Sequence, residues 1–165
     1  MTGFRGVHLP SAVSGRMWLH SMPGRNEPLG EAWAEVQRLG ISCIVCLAPL
    51  DEIREKSPEY AKAIEGRELP CDVRRMPVFD YQGPEDDEAF RKLATVVADS
   101  LRAGESILVH CGAGIGRTGM FAMATLIALG VQVEEARRAV KVAGSGPERP
   151  AQEEALRRFA RVFHK

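Results

Sequence analysis

Ten residues, His110-Cys111-Gly112-Ala113-Gly114-Ile115-Gly116-Arg117-Thr118-Gly119, join an apolar run to an almost wholly apolar segment of helix length, and no other stretch restricts the fold as much. Ser106-Ile107-Leu108-Val109 follows the breaker Gly104 and reads as a buried strand. Met120 to Leu129 reads as a buried helix that stops at Gly130. The ten residues therefore form a strand-to-helix turn. The first N–H groups of such a helix lack partners and carry the positive end of its dipole, so an anion belongs there.

The glycines at 112, 114, 116 and 119 let the backbone come close to a tetrahedral anion and take positive φ where a ring of N–H groups demands it. Residues Gly112, Ala113, Gly114, Ile115, Gly116 and Arg117 are the expected phosphate cradle. Cys111 lies at its floor, where a helix N-terminus and an arginine favour the thiolate, the nucleophilic form. Arg117 offers a planar fork that binds two oxygens at once. Thr118 can donate its hydroxyl to the sulfur and improve it as a leaving group. His110 is expected to orient the loop, since a thiolate needs no base.

His-Cys, five residues, Arg, then Thr-Gly resembles the signature of the cysteine-dependent protein-tyrosine and dual-specificity phosphatases. The whole chain is similar to their small single-domain members of the kinase-associated type. The resemblance implies the phosphatase α/β fold and a cysteinyl-phosphate intermediate, with neither cofactor nor metal. It also implies an aspartate general acid on a loop some thirty residues before the cysteine. Arg75-Met76-Pro77-Val78-Phe79-Asp80-Tyr81-Gln82-Gly83-Pro84 matches that loop, and Asp80 lies 31 residues before Cys111. Glu85, Asp86, Asp87 and Glu88 compete, Asp86 foremost, but they fall in the first turn of the next helix, where acids suit the dipole whatever the function. Several relatives place water with a glutamine near the start of a late helix, which makes Gln152 the candidate here. The other reading of Gln152 is an ordinary polar residue on a surface helix.

Composition narrows the remaining classes. With 165 residues and 45% apolar content, one domain spanning residues 1–165 is expected to bury a sufficient core. Twenty-two basic and twenty-two acidic side chains cancel, so no general attraction to nucleic acid or to an anionic membrane is expected. No apolar run approaches the roughly 20 residues of a membrane span, and no signal-peptide pattern opens the chain. A cytoplasmic monomer acting on phosphorylated protein is the expectation. Lysines inside the loop, which relatives acting on inositol phosphates carry, are replaced here by Gly112 and Ile115. Phosphotyrosine, with phosphoserine or phosphothreonine as further substrates, is therefore favoured over a phosphoinositide or inositol phosphate. A weakly active phospho-binding module and thiol chemistry on the same loop are the readings from other classes.

Alternating elements support a mostly parallel sheet covered by helices on both faces. Strands are expected at Arg16 to His20, Ile41 to Leu47 and Cys71 to Val78, besides the run before the loop. Helices are expected over about residues 29–39, 50–65 with a break near Ser57-Pro58, 85–101, 133–142 and 151–163; the first fifteen residues add least to this reading. Cys43 and Cys46 spell Cys-x-x-Cys, but residues three apart on a strand face opposite sides, which argues against a metal or dithiol site. Lipid-directed relatives protect the catalytic thiol with a neighbouring cysteine. That makes Cys46 the candidate partner for a reversible disulfide with Cys111, the other reading being a buried core thiol.

Overall fold

The computed structural model describes residues 3–164. Five strands, β1 (Arg5–Val7), β2 (Arg16–His20), β3 (Ile41–Cys46), β4 (Asp72–Arg75) and β5 (Ser106–His110), form one sheet in the order β1-β2-β5-β3-β4. Only the β1–β2 pair is antiparallel. Among the described residues there are seven helices: α1 (Leu29–Arg38), α2 (Leu50–Lys56), α3 (Pro58–Gly66), α4 (Asp87–Arg102), α5 (Gly116–Ala128), α6 (Val133–Val142) and α7 (Pro150–Phe163).

Strand alternation divides the core into two layers. Met17, Leu19, Cys43, Val45, Ile107 and Val109 pack with α4 to α7, while Ile44, Leu108 and Cys46 turn to the face covered by α1 to α3. β5 lies at the centre of the sheet and is buried from Ile107 onward, as its unbroken apolar run requires. Every residue of α5 from Gly116 to Ile127 is buried, so this helix has no polar face to turn outward. Phe121 on α5 meets Phe90 of α4 edge-on, with ring centres 5.8 Å apart, and Phe90 meets Phe159 of α7 at 5.7 Å. The loop between β5 and α5 is thus mounted on two largely buried elements.

Three boundaries depart from expectation. β1 is a short edge strand with a single buried residue, Val7, too brief to leave a periodic signal. β4 pairs regularly only to Arg75, because Pro77 has no N–H to continue the ladder. The chain still runs beside β3, with Met76 N–H donating to Cys46 O (3.0 Å) and Val78 N–H to Leu47 O (2.8 Å), and this leads it to Asp80. α5 begins at Gly116 rather than Met120, which puts Arg117 and Thr118 in its first turn.

Candidate active site

Two donors converge on the Cys111 sulfur: the Thr118 hydroxyl at 3.1 Å and the Gly114 N–H at 3.3 Å. Cys111 is buried, so the thiol sits at the bottom of the loop. Gly114 has φ +77°, and a Cβ there would lie 2.4 Å from the His20 carbonyl oxygen, so the position admits only glycine. His110 anchors the strand end. Its Nδ1 lies 3.0 Å from the Cys111 carbonyl, which can only accept, so Nδ1 carries the proton and Nε2 accepts from the Tyr60 hydroxyl at 2.7 Å. Burial drives the His110 pKa down to about 4, so the ring is neutral at physiological pH.

Arg117 is 2% exposed and meets Glu52 of α2 fork to fork, Nη1 to Oε1 and Nη2 to Oε2, both at 2.9 Å. Nη1 also donates to the Val78 carbonyl at 2.9 Å. Burial alone would lower the arginine's proton affinity, but the Glu52 bonds and the neighbouring charges outweigh it and hold the guanidinium charged. Its buried Nε has no protein partner among the described residues. Lys56, one turn after Glu52, donates to Glu52 Oε2 at 3.1 Å. A Cβ at Gly112 would lie 2.3 Å from Glu52 Oε2 and 3.1 Å from both Arg117 Nη2 and Lys56 Nζ. The glycine therefore makes room for the carboxylate, and a lysine from α2 reaches the loop edge that the loop sequence leaves neutral.

Asp80 enters from the segment after β4, its Oδ1 3.3 Å from Arg117 Nη2, and its side chain is 47% exposed. Two of the four competing acids are engaged elsewhere. Asp86 caps α4 by accepting from Ala89 N–H at 3.1 Å, and Asp87 pairs with Arg158. Gln152, in the first turn of α7, is buried rather than on a surface. Its Oε1 accepts from Glu148 N–H at 2.8 Å, its Nε2 donates to Gln82 O at 3.3 Å, and Oε1 would lie 3.1 Å from a Cβ on Gly116. Gln152 thereby touches both the cysteine loop and the Asp80 segment. Arg149 stacks over the Tyr81 ring at 4.2 Å and ties that segment to α7 a second time.

Cys46 does not join the constellation. It pairs in register with His110, so the two side chains share the face where Tyr60 lies, and its sulfur sits in the cluster of Met22, Ile53 and Tyr60. Cys111, one residue past His110, belongs to the opposite layer. The structure thus separates Cys46 from Cys111 and favours the buried core thiol, and Cys43 and Cys46 likewise lie on opposite faces. Among the described residues, no three His, Cys, Asp or Glu side chains gather as a metal-ligating group. Sequence reasoning missed Glu52, Lys56, Arg5 and Ser145. One signal existed for the first: a buried arginine needs a carboxylate.

Residues 11–161 match the family described as Swiss Army Knife protein, DSP-PTPase phosphatase domain. The chain belongs to this phosphatase family. Solved DSP-PTPase-like structures share its fold over nearly the whole length. A kinase associated phosphatase with its catalytic cysteine replaced by serine is 17% identical, with a TM-score of 0.82 over 97% of this chain and 94% of its own. Human DUSP28 is 20% identical, with a TM-score of 0.70 over 98% and 96%. PTPMT1 in complex with PI(5)P is 20% identical, with a TM-score of 0.72 over 94% and 95%. No curated protein sequence matches the chain. Among the described residues, no helix of this DSP-PTPase domain is long and apolar enough to cross a membrane.

Proposed function

We propose that this DSP-PTPase domain hydrolyses phosphotyrosine in proteins, with phosphoserine and phosphothreonine as further substrates, through a phosphorylated Cys111. The observation that carries the reading is the meeting of Cys111, Arg117 and Asp80, which come from the loop just past β5, the first turn of α5 and the segment after β4. In the first step the Cys111 thiolate attacks phosphorus and forms the S–P bond. The P–O bond to the side chain breaks, and Asp80 in its acid form gives its proton to the departing oxygen. The loop N–H groups, Arg117 and its free Nε–H hold the phosphoryl oxygens as their charge redistributes. In the second step Gln152 positions a water. Asp80 takes the water's proton, the new P–O bond forms, and the sulfur leaves as a thiolate supported by the Thr118 hydroxyl and the Gly114 N–H. The products are the dephosphorylated side chain and inorganic phosphate. A reducing cytoplasm suits such a thiolate.

The test is hydrolysis of p-nitrophenyl phosphate in EDTA by wild type and Cys111→Ser. Undiminished turnover in the variant would sink the mechanism. A second reading, phosphoinositide hydrolysis, is favoured by one observation. Lys56 stands beside the loop and offers the extra cation that a multiply phosphorylated substrate requires, and the PTPMT1 structure of the same fold holds PI(5)P. Trapping with Asp80→Ala on phosphopeptides and on phosphoinositide vesicles separates the two. Loss of activity confined to vesicles in Lys56→Met would establish the second.

A further inference from the structure

Behind the cysteine loop a half-buried cation stands without a carboxylate. Arg5, on edge strand β1, donates through Nη2 to the Gly114 carbonyl at 2.8 Å and through Nη1 to Ala143 O at 2.8 Å and Ser145 Oγ at 2.9 Å. The Ser145 hydroxyl, itself buried, donates to the same Gly114 carbonyl at 2.7 Å. Both lone pairs of that oxygen are therefore engaged from behind. No Asp or Glu lies within ion-pair distance of Arg5 among the described residues. Burial disfavours the Arg5 charge, and a Cys111 thiolate favours it. The next residue adds a third tie, with Gly146 N–H donating to Ile115 O at 3.2 Å.

A trans peptide points its N–H opposite to its C=O. Fixing the Gly114 carbonyl therefore fixes the Ile115 N–H in the reverse direction, away from Arg5 and Ser145. The same two side chains keep the cation within one peptide unit of the site. We propose that Arg5 and Ser145 are positioning residues of the phosphate cradle, clamping the Gly114–Ile115 peptide so that its N–H faces the phosphate and Arg5 counters the anion's charge from behind. The proposal rests on the phosphatase reading of the loop. It gives the N-terminal strand, which pairs with β2 by only three residues, a direct part in the site.

The test measures orthovanadate binding by calorimetry, without turnover, in wild type, Arg5→Gln, Arg5→Lys and Ser145→Ala. Alongside it runs the pH dependence of Cys111 alkylation by iodoacetamide, a neutral reagent. Removing a donor outright from a site of this kind costs about 10²-fold or more, so misaiming one is expected to weaken orthovanadate binding about tenfold in Arg5→Gln. The alkylation midpoint should move to higher pH in the same variant. Ser145→Ala should shift both in the same direction by less, and Arg5→Lys should restore most of each. Wild-type binding and an unmoved midpoint in the variants overturn the clamp. So does weaker binding with an unmoved midpoint, the mark of loosened packing alone. Should Arg5→Gln fail to fold, Arg5→Lys and Ser145→Ala decide by the same two criteria. A wild type that neither binds orthovanadate nor hydrolyses p-nitrophenyl phosphate overturns the phosphatase reading, and the clamp with it. An active wild type with unaffected variants overturns the clamp alone.

Discussion

Replacing Glu52 by Gln removes the counter-charge of a guanidinium that is 2% exposed, and the carboxylate it loses is itself only 13% exposed. Removing one partner of a buried ion pair costs about 3–5 kcal/mol. Arg117 keeps its bond to the Val78 carbonyl and its contact with Asp80, and the site is not fully dry, so the expected loss is about 2–3 kcal/mol. At roughly 2–4 °C per kcal/mol for a domain of this size, Tm should fall by roughly 5–10 °C at pH 7. The decrement depends on pH in a definite sense. Burial on its own raises the proton affinity of Glu52, but the Arg117 bonds and charge, with Lys56 behind them, hold its carboxyl below the usual range. The folded value therefore lies under the unfolded one of about 4.3, so the stabilisation is complete at higher pH and disappears as pH falls through the folded value. His110, which burial holds neutral, loses its contribution as pH falls from its unfolded value of about 6.5 through about 4, above the Glu52 range; Glu52 is the last of the causes acting on it, so this loss is nearly the same in both proteins. Thermal melts of wild type and Glu52→Gln from pH 7 down to about pH 3 make the measurement. A variant within about 1 °C of wild type at pH 7, or a decrement undiminished at the acid end, refutes the reasoning.

Three further outcomes are expected. Asp80→Asn should flatten the acidic limb of the pH–rate profile and slow phenyl phosphate far more than an activated ester whose leaving group needs no proton. Asp86→Asn should alter neither, since Asn also caps helices; the opposite pattern would move the acid to Asp86. Gly112→Ala forces a methyl to 2.3 Å from a carboxylate oxygen that Arg117 pins, so it should cost a similar amount to Glu52→Gln. The double variant should be markedly less than additive, and additive melting shifts would show that the two sites do not communicate. Thr118→Ala removes a donor from the leaving sulfur, so it should slow the second step by about 10²-fold and leave a burst of product in rapid-mix kinetics. A uniform slowing without a burst would count against that role.

The site was legible where chemistry is written in consecutive residues. Cys111, Arg117 and Thr118 are tied by a ten-residue loop, and the apolar runs on either side dictate that it joins a buried strand to a buried helix. Asp80 was within reach because it sits next to a strand end, a place the α/β pattern defines even without the partner. Gln152 was named with an ordinary polar residue on a surface helix as the other reading, and its burial follows only from the packing of α7 against the loop and the Gln82 carbonyl. Asp86 and Asp80 look alike in sequence, both acids beside a turn. They part company because one backbone N–H, that of Ala89, lies within reach of the first and the Arg117 guanidinium within reach of the second.

The sequence by itself determined the parallel α/β order and the glycine-rich strand-to-helix turn with Cys111 at its start, because strand period, helix length and glycine placement act over a few neighbouring residues. Tertiary structure alone decided what surrounds that turn. Glu52 lies 65 residues from Arg117 and Arg5 lies 109 from Gly114, and neither contact has a local sequence cost that would betray it. The same holds for Cys46, whose nearness to the loop in the sheet suggested a redox partner until its register with His110 placed it on the opposite face. Close packing at β5 and α5 brings charges from remote segments into a dry space. There each must find a partner, and only the folded chain says which.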